Sequence, residues 1–253
     1  MKLSDEIRIR YIGGPTAILE AGGWRMMTDP TLDPAGTDYP APSYTLHKTQ
    51  SPDVTPEILA NIDMVLLSHD HHSDNLDQGG RQFLRQVDRI YTTTAGAERI
   101  GPPARGLAPW QTVALPERGE RILQITGTPC RHGPENGDRG PVTGFLLQYQ
   151  DANDGAVYVT GDTVWYEGVA QVAEKYAIGL VILFMGSARV KAVGPDHLTM
   201  TAAEGVAAAR HFSDALIMPL HFEGWDHFSE SRSEIAAAFD QAGLSARLRW
   251  PGQ

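Results

Sequence analysis

Apolar runs of three to six residues, punctuated by glycine or proline, recur along most of the chain and predict strands. They cover Ile7 to Ile12, Thr16 to Glu20, Trp24 to Thr28, Met64 to Leu67, Ile122 to Thr126, Gly144 to Tyr149, Ala156 to Thr160, Leu180 to Phe184 and Leu216 to Met218. Helical spacing appears between several of them. Phe83, Leu84 and Val87 predict a helix over Gln82 to Val87. Thr201-Ala202-Ala203-Glu204 and Ser231-Arg232-Ser233-Glu234 read as capping boxes, in which hydroxyl and carboxylate satisfy the first free backbone N–H groups of a helix. The first box opens an Ala-rich helix to about His211; the second opens one with Ile235 and Phe239 inward and Gly243 as its stop. The chain therefore reads as α/β with many strands.

Residues 29–57 break the pattern, with five prolines between Asp29 and Pro52 and the aromatics Tyr39 and Tyr44. A long irregular stretch in a compact fold is a lid, a substrate-binding loop or a plain surface excursion. No repeat or low-complexity linker divides residues 1–253, so one domain is expected.

Composition narrows the function classes. With 42% hydrophobic and 21% charged residues the chain can build a sizeable core. A net charge of -10 argues against a surface made to grip phosphate backbones, which needs Lys and Arg. A small-molecule substrate is expected, with no nucleic acid partner; a homo-oligomer stays open. The start, Met1 to Glu6, has no apolar signal core, and the longest apolar run, Leu180 to Met185, is too short to span a bilayer. The single cysteine, Cys130, excludes an intramolecular disulfide. These features together predict a cytoplasmic protein with no membrane contact.

The candidate chemistry starts after the strand ending at Leu67. Ser68-His69-Asp70-His71-His72-Ser73-Asp74-Asn75 crowds three imidazoles and two carboxylates together, the ligand types that suit a borderline divalent cation where thiolates are lacking. Other strands also end in ligand-type residues: Asp29 after Thr28, His132 after Gly127 to Arg131, Asp162 after Gly161, and His221 after Pro219-Leu220. Each alone is weak, since a histidine or Gly-Asp after a strand is commonly a surface group or a turn. Yet seven of the nine histidines lie at 69–72, 132, 197 and 221–227, leaving only His47 and His211 outside.

The order His-x-His, carboxylate, His, Gly-Asp, Pro-x-His resembles the metallo-β-lactamase-fold superfamily. Thr28-Asp29-Pro30 and Pro219-Leu220-His221-Phe222-Glu223-Gly224-Trp225 bring it nearest to the branch with ascorbate-6-phosphate lactonase-like hydrolases. The resemblance spans residues 7–228. It implies a four-layer αββα sandwich, with His69, His71 and His132 on a first metal, Asp162 bridging, and Asp74 with His221 on a second. It also implies attack of metal-bound hydroxide on a small ester, lactone or amide, with Asp74 and Asp162 as the catalytic carboxylates. Zinc is expected first, with manganese or iron as alternatives, as one or two ions.

One departure stands out. The family reads His-x-His-x-Asp-His, and this chain either inserts a residue, so that Asn75 replaces the last histidine, or places Ser73 and Asp74 at the last two positions. Either way an imidazole of the second site is missing, which leaves that metal weaker, harder or absent. His72 fits a substrate or supporting contact, with ligation as an alternative. Asp29 either accepts the free N–H of a ligand histidine or caps the turn before Pro30. His197 meets substrate or is a plain loop residue; Trp165, Tyr166, Trp225 and His227 wall the pocket or anchor packing. Two other functions compete, a phosphodiesterase for a small phosphodiester and a metal-binding protein with little catalysis.

Overall fold

The computed structural model describes residues 2–116, 118 and 121–252. Its strands run β1 (Arg8–Gly13), β2 (Thr16–Ala21), β3 (Trp24–Thr28), β4 (Asp38–Pro40), β5 (Thr45–His47), β6 (Met64–Leu66) and β7 (Ile90–Thr92). They continue with β8 (Ala104–Gly106), β9 (Thr112–Ala114), β10 (Leu123–Pro129), β11 (Thr143–Tyr149), β12 (Ala156–Val159), β13 (Ile178–Phe184) and β14 (Leu216–Leu220). The helices are α1 (Leu3–Glu6), α2 (Pro56–Leu59), α3 (Gln78–Leu84), α4 (Thr94–Ile100), α5 (Glu167–Lys175), α6 (Ala202–His211) and α7 (Arg232–Gln241).

Two six-stranded sheets form, in the orders β1-β2-β3-β6-β7-β8 and β14-β13-β12-β11-β10-β9. Leu19, Met26 and Leu66 of the first sheet share a core with Ile125, Leu147, Val157 and Ile182 of the second. Alternate residues face outward. Tyr158, Val181 and Ile217 pack under Val169, Val206 and Phe239 of α5, α6 and α7, while Ile18, Met27 and Val65 pack with Phe83 and Leu84 of α3. This is the αββα sandwich. It explains why Leu180 to Phe184 is apolar without alternation: both faces of that strand are covered.

All nine predicted strand runs form, and both capping boxes close, with Thr201 and Ser231 as N-caps. The helix predicted over Gln82 to Val87 lies earlier, at Gln78–Leu84, because the Asp77 carboxylate caps it by accepting from Gly80 N at 2.8 Å. Three short strands, β7, β8 and β9, and helix α5 carry little sequence signal. Residues 29–57 also contain the β4–β5 hairpin, whose Tyr39 and Leu46 pack on Trp225. Among the described residues no helix is long and apolar enough to cross a membrane.

The parallel strands β3 and β6 of one sheet and β12 and β14 of the other end at the same edge as β10. That edge gathers the candidate residues.

Candidate metal centre

Strand ends position each group. Residues 68–77 follow β6, His132 follows β10, Asp162 follows β12, and His221 follows β14 in a left-handed backbone conformation (φ 53°). Three sets of side chains have their ligand atoms within 4.8 Å of one another: His69, His71 and His72; His69, His132 and Asp162; and Asp74, Asp162 and His221.

The imidazole nitrogens converge. His72 Nδ1 lies 3.0 Å from His69 Nε2 and 3.1 Å from His132 Nε2. His132 Nδ1 donates to the Leu198 carbonyl at 2.9 Å, so in the neutral ring Nε2 keeps its lone pair. His71 Nε2 likewise donates to the Arg139 carbonyl at 2.9 Å and leaves Nδ1 bare. A backbone carbonyl that fixes the tautomer and aims the opposite nitrogen is the usual support of a metal-bound histidine. Burial and the neighbouring imidazoles hold His69 well below its ordinary pKa and bring His72 down to about 3. His69 and His72 are thus neutral ligand-type groups at physiological pH, and a cation is a natural partner for nitrogens that crowd together in this way.

The second group is ionic. Asp162 Oδ1 and Asp74 Oδ2 lie 3.4 and 3.6 Å from His221 Nε2, and the same Asp74 oxygen lies 3.0 Å from His227 Nε2. Burial alone raises both carboxylates' pKa, but contacts with the histidines outweigh it and hold both low. Burial lowers His221, and Asp162 with Asp74 overcomes it to raise His221 to about 10. Two buried carboxylates demand positive charge between them. A proton on His221 meets that demand, and so does a divalent cation, which leaves His221 neutral. Among the described residues both ring nitrogens of the fully buried His221 lack a hydrogen-bond partner, which fits the cation. The donor set, imidazole and carboxylate without thiolate, therefore suits zinc, manganese or iron.

Outer contacts tie the groups together. Asn75 Nδ2 reaches Asp29 Oδ2 at 3.2 Å and Asp162 Oδ1 at 3.4 Å. Asn75 thus presents its amide donor to two carboxylates. Asp29 accepts from Ser68 N at 2.6 Å rather than from a histidine, and Ser68 Oγ in turn meets His69 Nδ1 at 2.9 Å. Burial pushes the Asp29 pKa up to about 7. Behind this layer, Asp77 accepts from Leu32 N, Asp33 N and the buried Lys48 ammonium, all at 2.8–2.9 Å. A Cβ on Gly80 would lie 1.9 Å from the Pro30 carbonyl oxygen, so only glycine lets α3 approach that segment.

The family description of a beta-lactamase superfamily domain matches residues 24–222. The chain belongs to the beta-lactamase superfamily. It is 26% identical over 226 residues to a UPF0173 metal-dependent hydrolase of Natranaerobius thermophilus, covering 87% of this chain and 85% of that relative. Among solved structures it resembles an isothiocyanate hydrolase from Delia radicum gut bacteria, with TM-score 0.82, 22% identity and 96% of each chain covered. A possible metal-dependent hydrolase from Veillonella parvula gives TM-score 0.81 at 19% identity, over 96% of this chain and 95% of that one. At these identities the structural likeness establishes the fold. The superfamily match covers most of the chain, and the relative and the structural neighbour named as metal-dependent hydrolases resemble it over nearly their whole length.

The sequence favours a substrate or supporting contact for His72, with ligation as an alternative, and a wall or packing role for His227. The structure brings His72 among the first three imidazoles and sets His227 against Asp74. The doublet His71-His72 signalled the first; nothing in the sequence ties His227 to Asp74, which lies 153 residues earlier. His197 instead pairs with Glu204 at 2.9 Å, while its neighbour Leu198 supports His132. Trp225 stacks on Tyr39, Trp165 packs on Phe212, and Tyr166 lies under Arg131, so these three rings serve packing. Cys130 is held in its thiol form by burial.

Proposed function

We propose that the protein hydrolyses a small ester, lactone or amide, with one or two divalent ions held by His69, His71 or His72, His132 and Asp162, and by Asp74, Asp162 and His221. The observation that carries this reading is the convergence of imidazole nitrogens of His69, His72 and His132 beside Asp162. Zinc is the first choice for such a set, with manganese or iron as alternatives. A bound ion of this kind supplies Lewis acidity and acidifies water at neutral pH.

The chain's own residues account for the rest. Asp74 borders the cleft and is oriented by His227, so it is placed to accept a proton from the attacking water and return it to the leaving group. Asn75 steadies Asp162 from behind. Leu46, Val190, Val193 and Leu198 give the cleft an apolar wall that excludes bulk water from the reacting carbon. Thr28-Asp29-Pro30 and the segment Pro219 to Trp225 favour a lactone within this substrate class. The structural neighbour that hydrolyses isothiocyanates also acts on a carbon electrophile, which supports carbon over phosphorus.

Elemental analysis, paired with an ester, lactone and phosphodiester panel run with and without chelator, tests the proposal. We expect chelator-sensitive turnover of the carbon esters, falling at least 100-fold in His132→Ala and Asp162→Ala. Undiminished activity in both variants would sink it, and turnover of phosphodiesters alone would replace it with the phosphodiesterase reading.

A further inference from the structure

Among the described residues that line the cleft with His72, Asp74, His132 and His227, Arg139 is the one Lys or Arg. Its backbone is fixed between two site histidines: Arg139 N–H donates to the His132 carbonyl at 2.8 Å, and its carbonyl accepts from His71 Nε2 at 2.9 Å. The next residue, Gly140, has φ 104°, and a Cβ there would lie 2.9 Å from His71 Nε2, so the close approach requires glycine. The position of Arg139 relative to the metal ligands is thus built in.

Its guanidinium, however, has no structural task. Among the described residues it makes no ion pair or hydrogen bond. Arg131, a few residues earlier, lies over the Tyr166 ring at 4.7 Å, and Arg99 pairs with Asp70 at 2.8 Å. A half-buried arginine that lines the cleft beside these histidines carries a planar fork of donors suited to a carboxylate or phosphate.

We propose that Arg139 binds a compact oxyanion, carboxylate or phosphate, on the substrate. The substrate then carries an anionic group at Arg139 in addition to the scissile carbon at the His/Asp floor. The position of the scissile carbon rests on the hydrolase reading above; the anion site does not.

Calorimetric titration of the metal-loaded protein with hexanoate, hexyl phosphate and hexanamide tests this without reading turnover, so an absence of hydrolysis would defeat the earlier reading and leave this comparison intact. We expect wild type to bind one of the two anions about tenfold or more tightly than hexanamide, the size of one charge-assisted hydrogen bond, and the preferred anion identifies the group. Arg139→Gln should abolish the preference while leaving hexanamide binding and the unfolding temperature unchanged, and Arg139→Lys should restore part of it. Equal binding of anions and amide by wild type, no measurable binding of either anion, or a preference that survives in Arg139→Gln would overturn the proposal, the last by placing the oxyanion on the metal instead.

Discussion

Asn75 shows how one side chain can serve two groups distant in sequence. Its amide donor lies between Asp29 and Asp162, and removing it leaves Asp162 without that support and a buried carboxylate pair unscreened. Outer contacts of this kind typically contribute 10- to 100-fold in metal affinity. We expect Asn75→Ala to weaken metal binding by about that factor in chelator competition, with the fold retained; unchanged affinity would remove Asn75 from the support of the site. The same residue marks what was legible here. The types and order of His69, His132, Asp162 and His221 follow from residues placed after strand ends, whereas the partners of Asn75 lie 46 and 87 residues away and only the folded chain defines them.

At the scale of elements, local signals of capping were fully readable, because a capping box is complete within four residues. Glu204 does double duty: it accepts from Thr201 N at 2.9 Å and pairs with His197 at 2.9 Å. Burial raises its pKa, but His197 and the Thr201 contacts outweigh this and hold it below the ordinary 4.5. A carboxylate with a depressed folded pKa stabilises the native state above its unfolded pKa, and that contribution is lost as pH falls through the folded value. Glu204→Gln should therefore unfold a few degrees lower than wild type at pH 7, a cap being worth about 1 kcal/mol. The gap should close below pH ~4.5, and thermal melts across pH check it. Close packing was not readable. In α3, Gly80→Ala gains about 1 kcal/mol of helix propensity, but its Cβ would displace the Pro30 carbonyl. We expect a net loss of about 2 kcal/mol in denaturant titration; a stabilised variant would contradict the contact.

For the whole molecule, the metal centre joins the edges of the two sheets, since β6 and β3 approach it from one side and β10, β12 and β14 from the other. A cation bound there by groups from both sheets stabilises only the folded state. At a thousandfold excess over the dissociation constant the effect is about 4 kcal/mol, or on the order of 10 °C for a chain of this size. Chelation should lower the melting temperature by about that amount and re-addition of metal should restore it. An unaltered melting temperature in protein shown to lose its metal would mean that the sheets do not rely on the ion.

The sequence by itself determined the α/β class, the nine main strands, the capped helices and most of the candidate ligands, because each is written in local periodicity or in residues at a strand's end. Tertiary structure decided that His72 lies among the converging imidazoles, that His227 meets Asp74, that His197 is held by Glu204, and that Arg139 lines the cleft, its guanidinium making no ion pair or hydrogen bond among the described residues. Those outcomes depend on backbone carbonyls and carboxylates contributed by loops that meet only when the two sheets pack, and no local pattern encodes such a meeting.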